Sequence, residues 1–228
     1  MEAMTLSSDI CLINNGVLQQ YEHPLTIYNH PNNLFAADFV GNPSINFIEA
    51  KGHQDKAGSV SLEILGGKKA LFTPNGALDL AAWFSERDET ARQESEAEAE
   101  KKKDRHYVEK NNKDEVFRYH IQLVEERDDS LDDAPELSNE DLVLGIRPEF
   151  LDLGKEKGLT GEIYGVMPTG MESTIKIAVG NFLLTGVVFG NKLYQIGKNE
   201  VFSISGSDVL LFDRKSGRCI TSGTLELQ

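Results

Sequence analysis

The chain has 228 residues, 23 lysines and arginines against 37 aspartates and glutamates, and a formal net charge of -14 at pH 7. That length holds one large or two small domains and lets a sizeable core form, while a field of that sign repels nucleic acid. Two cysteines, Cys11 and Cys219, are too few for a disulfide scaffold or a zinc cluster and read as reduced thiols of a cytoplasmic protein.

The apolar runs at residues 10–14 and 17–21 flank Asn15-Gly16, a hairpin signal, because both residues tolerate the positive φ of a tight turn. Pro24 opens a short helix with Leu25 and Tyr28 on one face and Pro31 beyond its end. Asn32 or Asn33 caps a second helix carrying Leu34, Phe35 and Phe39, and Gly41 fits its stop position. After Pro43 the pattern turns to short strands. Residues 59–65 alternate Val60, Leu62 and Ile64 against Ser61 and Glu63, and Leu71-Phe72 runs into the turn Thr73-Pro74-Asn75-Gly76. The last third repeats this pattern around Ile163, then Ile175, Ile177 and Val179, then residues 182–189, 202–204 and 209–212. Many short strands at close spacing predict a mainly β protein built on a small barrel or sandwich. Its expected core is Ile163, Ile175, Ile177, Val179, Val201 or Phe202, Ile204 and Leu211.

Residues 85–115 interrupt this order with charged side chains, Ala, Gln and Ser, and present no apolar stripe. They read as a solvated helix, a helical hairpin arm or disorder, dispensable for stability. The basic cluster Lys101, Lys102, Lys103 and Arg105 follows Glu94, Glu96, Glu98 and Glu100 directly, so it is a mixed-charge segment and no phosphate-binding stripe. Val116, Tyr119, Ile121 and Leu123 have strand character, and an acidic linker over 125–141 follows. The whole stretch 85–141 reads as an excursion that returns at Leu142. No apolar run approaches the ~18–20 residues of a membrane helix, and residues 1–10 carry no secretory-signal pattern.

Several patterns imitate chemistry. Gly165-Val-Met-Pro-Thr-Gly170 has the glycine spacing of a phosphate loop, but Met171 stands where a lysine would neutralise the phosphates. Asp213 ends an apolar run as a Mg²⁺-binding Asp does, yet Arg214 follows in place of a catalytic carboxylate, and the stretch to Gly217 reads as a hairpin. His23, His30, His53, His106 and His120 show no ligand spacing. Asp128-Asp129 and Asp132-Asp133 lack the loop of a calcium site. The reading is therefore no catalytic, cofactor-binding or metal residue in this chain.

One colinear set of motifs points further: Glu2-Ala-Met-Thr-Leu6, Asn15-Gly16, Gln19-Gln20, Pro24-Leu25, Tyr28-Asn29, Pro31, Leu34-Phe35, the run from Phe39 to Pro43, and Asn46-Phe47. It resembles the tail of the ABC ATPase subunit of maltose and multiple-sugar importers. Leu144-Gly-Ile-Arg-Pro-Glu149, Gly170-Met-Glu-Ser-Thr174, and Leu211-Phe-Asp213 with Ser216-Gly217 resemble that family's transport-associated OB (TOBE) domain. The likeness covers about three-quarters of the chain. It departs at Glu22-His23-Pro24, where the family has Gly-x-Pro, and at the long 85–141 excursion.

The resemblance implies that residues 1–43 are the last pieces of a nucleotide-binding domain and 44–228 an OB-like regulatory domain, with the phosphate loop, signature motif, catalytic Glu and switch His upstream. It implies a fragment that is no enzyme itself, with ATP and Mg in the parent. It implies that this domain helps hold a second copy of the ATPase subunit and receives a regulatory protein, with membrane subunits as partners through the parent, at the inner face of the cell membrane. The family leaves Asn46, Phe47, Arg147 and Glu149 as interface or regulatory residues, with a local Arg147–Glu149 ion pair at a strand entry as the plainer role for the last two. A small-anion-binding OB-like module is the alternative, which the net charge opposes. Oligonucleotide binding fails on charge and on sparse aromatics.

Overall fold

In the computed structural model, residues 2–102, 117–125, 137–190 and 192–228 are described. A short helix, α1 (Glu2–Leu6), leads into β1 (Ile10–Asn14) and β2 (Val17–Glu22). Asn15 and Gly16 join the two strands at φ of 49° and 80°. Positive φ at both central residues is what the right-handed twist of a two-residue hairpin demands. Helix α2 (Pro24–Asn29) starts on its proline, and α3 (Leu34–Phe39) is capped by Asn33, whose side chain accepts from the Ala36 N–H at 2.9 Å. The buried face of α2 is Pro24 and Ile27, with Tyr28 half-buried. Leu25, expected on that face, is 60% exposed.

The chain continues through β3 (Asn46–Gln54), β4 (Val60–Ile64), β5 (Lys68–Pro74), α4 (Leu80–Lys101) and β6 (Asp141–Ile146). Then come β7 (Leu151–Leu153), β8 (Leu159–Pro168), β9 (Glu172–Val179), β10 (Phe182–Phe189), β11 (Asn199–Ile204), β12 (Val209–Asp213) and β13 (Cys219–Leu227). Six strands close a barrel in the order β12-β13-β5-β4-β3-β6, and five more form an antiparallel sheet in the order β10-β9-β8-β11-β7. The protein is mainly β with a small closed barrel, one of the two architectures that the strand spacing predicts.

Barrel and sheet share one core. Ile48, Leu62, Phe72, Leu144 and Leu211 of the barrel pack in the same cluster as Ile163, Ile175, Ile177, Val179 and Phe202 of the sheet. Of the residues expected to fill the barrel, only Leu211 belongs to a barrel strand. The others line the inner face of the second sheet, and Ile204 is only partly buried. Alternation shows which side chains turn inward, but not which sheet their strand joins.

All six residues of β6 are buried. Leu142, Leu144 and Ile146 face the main core, while Val143 faces a second cluster with Leu34 and Ala37 of α3, Phe47, Leu210 and Phe212. The barrel wall is therefore covered on its outside by the N-terminal segment. That segment also has a small core of its own, Leu12, Ile27, Ala36 and Val40.

The excursion departs from expectation at both ends. Helix α4 is anchored at its start by buried Leu80 and Phe84, and Arg87, inside the stretch expected to be fully solvated, is 5% exposed. The reason is spacing: Leu80, Phe84 and Arg87 fall on one helical face. Beyond Arg87 none of the described side chains of α4 is buried. Residues 117–125 form no regular strand. Instead Gln122 and Val124 bond to the backbone of Leu183 and Asn181 at 2.8 Å each, covering the free edge of β10. Residues 103–116 and 126–136 lie outside the described residues, and with them Lys103, Arg105, His106, Val116 and the aspartates at 128, 129, 132 and 133.

Candidate functional site: the Arg147 seam

Arg147 ends the buried run of β6, and the turn at Pro148–Phe150 aims it at the N-terminal segment. Its side chain, 2% exposed, donates from Nη1 to the carbonyls of Ala37 at 3.1 Å and Val40 at 2.5 Å, and from Nη2 to that of Tyr28 at 2.8 Å. These carbonyls close α2 and α3, where backbone acceptors lack helical partners and the dipole favours a cation. The guanidinium also lies 4.0 Å from the centroid of the Tyr28 ring. Gly41, at φ 128°, lets the chain pass: a Cβ there would sit 2.9 Å from Nη1 of Arg147.

Glu149 is exposed and accepts from the Tyr28 hydroxyl at 2.6 Å. Arg147 and Glu149 thus do not form the local ion pair that their spacing suggests. One grips the backbone of Tyr28 and the other its hydroxyl, so both reach into the N-terminal segment. Burial and the hydrogen bond to Glu149 push the Tyr28 hydroxyl up to about 12, against the opposing charge of Arg147. Burial likewise raises the Asp38 carboxyl, with Arg147 and His120 pulling the other way.

Asn46 and Phe47 complete the seam on the barrel side. The Asn46 amide donates to the carbonyls of Ile146 at 3.1 Å and Thr185 at 2.8 Å, and its oxygen accepts from the Thr185 N–H at 2.7 Å. That stitches β3 to both β6 and β10. Phe47 packs its ring 6.2 Å from Phe212 and 5.3 Å from Tyr119. Asn46, Phe47 and Arg147 are therefore buried contacts within the chain, and Glu149 alone of the four is accessible.

A second polar junction, invisible in the sequence, lies at the base of α4. Arg87 donates to Asp213 at 2.8 Å and to Asn139 at 2.7 Å, and fully buried Asp213 also accepts from the Ser216 N–H at 2.8 Å and hydroxyl at 2.5 Å. Asp213 is thus committed to holding a helix on the barrel. Among the described residues no group of three His, Cys, Asp or Glu could hold a metal ion. The Gly165–Gly170 stretch runs from β8 into the hairpin to β9, so no helix N-terminus follows it.

No protein-family model matches the chain. The chain is similar to ABC transporter ATP-binding proteins. It is 26% identical over 216 residues to the uncharacterized ABC transporter ATP-binding protein y4oS of Sinorhizobium fredii, covering 94% of this chain and 39% of that relative. Shorter matches reach the sn-glycerol-3-phosphate import ATP-binding protein UgpC of Bartonella quintana, 45% identical over 51 residues (22% of this chain, 15% of the relative). The osmoprotective compounds uptake ATP-binding protein GgtA of Synechocystis is 43% identical over 51 residues (22% and 14%). The chain thus spans about two-fifths of the first relative's length and less than a fifth of the others'. A solved structure of the molybdate-binding protein ModG covers 73% of this chain and 94% of its own at 15% identity, with a TM-score of 0.37, too loose a likeness to carry argument. No helix among the described residues is long and apolar enough to cross a membrane.

Proposed function

We propose that this chain is the non-catalytic regulatory portion of the ATP-binding subunit of a carbohydrate ABC importer. In this reading residues 1–43 finish the nucleotide-binding part, and 44–228 are the OB-like regulatory domain. The observation that carries the reading is the Arg147 seam. One buried cation ties the ends of α2 and α3 to the strand leaving the barrel, so a displacement of one part is passed to the other as a rigid-body motion. Two further observations support it. The relatives are ATP-binding proteins longer than this chain. The N-terminal segment also leaves Ile13, Leu18, Tyr21 and Leu25 about 60% exposed, an apolar face suited to packing on the rest of a nucleotide-binding domain. ATP, Mg²⁺ and the contacts with membrane subunits belong to the parent's nucleotide-binding domain, while the OB-like domain helps hold a second ATPase copy at the inner face of the membrane.

The test compares three samples: the purified chain, the importer complex, and the complex carrying Arg147→Met. The chain alone should neither bind nor hydrolyse Mg-ATP, because no described segment joins a helix N-terminus to a phosphate-binding lysine. The complex should hydrolyse ATP in a sugar-stimulated manner. With Arg147→Met, hydrolysis should persist while stimulation drops about threefold or more. Saturable micromolar ATP binding by the chain alone, or stimulation indifferent to Arg147→Met, would overturn the reading.

A further inference from the structure

Where residues 30–33 meet the start of β13, the chain forms a groove of about 680 Å³. Its polar lining is His30, Asn32, Asn33, Arg218, Thr221 and Ser222, and no carboxylate is among its walls. In a chain with 37 acidic residues against 23 basic ones, that leaves a local positive site in a negative field. The walls are held by backbone bonds: Leu34 N–H to Gly217 O and Cys219 N–H to Asn32 O, both 2.9 Å. Asn33 forms an isolated antiparallel bridge with Arg218 between these two bonds. The groove's shape is therefore preformed, and its volume falls in the ~300–1,000 Å³ range of small-molecule sites.

Arg218 is the decisive group. Arg87, Arg147 and Arg214 are held by carboxylates or carbonyls. The exposed guanidinium of Arg218 has no hydrogen bond or ion pair among the described residues and sits 5.8 Å from the Trp83 ring. The His30 imidazole side chain is likewise without a hydrogen-bond partner there. Ser222 Oγ accepts from Asn75 at 3.1 Å, which leaves its own proton free to donate.

We propose that this groove binds a small phosphate-bearing ligand, with Arg218 as its cation and His30 and Ser222 as further donors. The planar fork of a guanidinium matches a phosphate bidentately. The volume exceeds what a bare phosphate fills, and the amide oxygen of Asn32 suits the hydroxyls of a sugar or polyol phosphate, whereas Asn33 is committed to Ala36 and Gln19. Because one wall is N-terminal segment and the other is barrel, a bound ligand favours the docked arrangement of the two. The site stands on its own geometry and does not depend on the transport role proposed above.

Calorimetric titration of the purified chain with glucose 6-phosphate, inorganic phosphate and glucose tests this. Saturable binding of glucose 6-phosphate is expected, with none of glucose. Arg218→Ala should weaken binding roughly tenfold or more, Arg218→Lys should recover part of it, and Arg92→Ala on the exposed face of α4 should change nothing. Inorganic phosphate binding as tightly as the ester would identify the free anion as the ligand of the same site, whereas weaker binding identifies the ester. Unchanged melting of each variant separates loss of binding from loss of fold. No saturable heat with either phosphate compound, or equal affinity in Arg218→Ala, would overturn the proposal.

Discussion

Asp141, which reads in sequence as the last residue of an acidic linker, is one of the buried carboxylates of the barrel. Burial opposes its charge, but the Ser138 N–H and hydroxyl donate to it at 2.8 and 2.7 Å, and Lys51 and Arg214 add favourable charge. The sum holds its carboxyl below the usual carboxylate value. A depressed folded value means stability that is present above the unfolded value of about 3.9 and is lost as pH falls through the folded one. Wild-type chain should therefore lose urea resistance more steeply below about pH 4 than Asp141→Asn does. Parallel curves for the two from pH 7 to 2 would show that Asp141 contributes no acid-linked stability. At this scale the sequence was legible for caps and turns, such as Asn33 and Asn15-Gly16, because those signals are local. It was not legible for Arg147, since its partners Tyr28, Ala37 and Val40 lie more than a hundred positions away.

Among the elements, α4 divides into two parts with different energetics. Its first turns bury Leu80, Phe84 and Arg87, and the rest carries exposed pairs such as Arg92–Glu89 at 2.9 Å. Removing one member of a buried pair strands the other, a loss of about 3–5 kcal/mol, whereas an exposed helical pair contributes ~0–1 kcal/mol. Arg87→Met should thus destabilise the chain strongly by leaving Asp213 unpaired, while Arg92→Ala should leave the urea midpoint nearly unchanged. If the two variants melted alike, Arg87 would be a surface residue and the helix would be as dispensable as its composition suggests. The charge density of residues 85–100 hid this anchor because a single arginine at the right spacing does not register as a stripe. Strands such as β4 are legible because a period of two survives in five residues, as in Val60, Leu62 and Ile64, whereas residues 117–125 carry strand character and form no regular strand.

Considered whole, the molecule is a large shared core flanked by a small one. Barrel and sheet were legible as strands, but their partition into two sheets was not, because pairings such as β3 with β6 join residues 90 to 100 positions apart. The same partition sets how the chain should open. The N-terminal hairpin is two-stranded, contributes Leu12 and a partly buried Ile10 to the small core, and leaves Ile13, Leu18 and Tyr21 outside. A lone two-stranded hairpin is marginal in water. Here it depends on Gln20, which donates to the His30 carbonyl at 3.0 Å and accepts from Asn32 N–H at 2.9 Å, and on the Arg147 seam that holds α2 and α3 in place. Local opening follows buried contact, so native-state hydrogen exchange should be at least about tenfold faster for β1 and β2 than for β6 and β9. Arg147→Met removes three bonds to carbonyls, and hydrogen bonds to charged groups contribute about 1.5–3 kcal/mol each at most. It should therefore speed exchange in α2, α3 and the hairpin while leaving β8 and β9 as protected as before. Uniform acceleration across the chain would mean that the seam is part of one cooperative unit with the barrel, and equal protection of β1 and β6 in the wild type would mean that the hairpin is no separate unit at all.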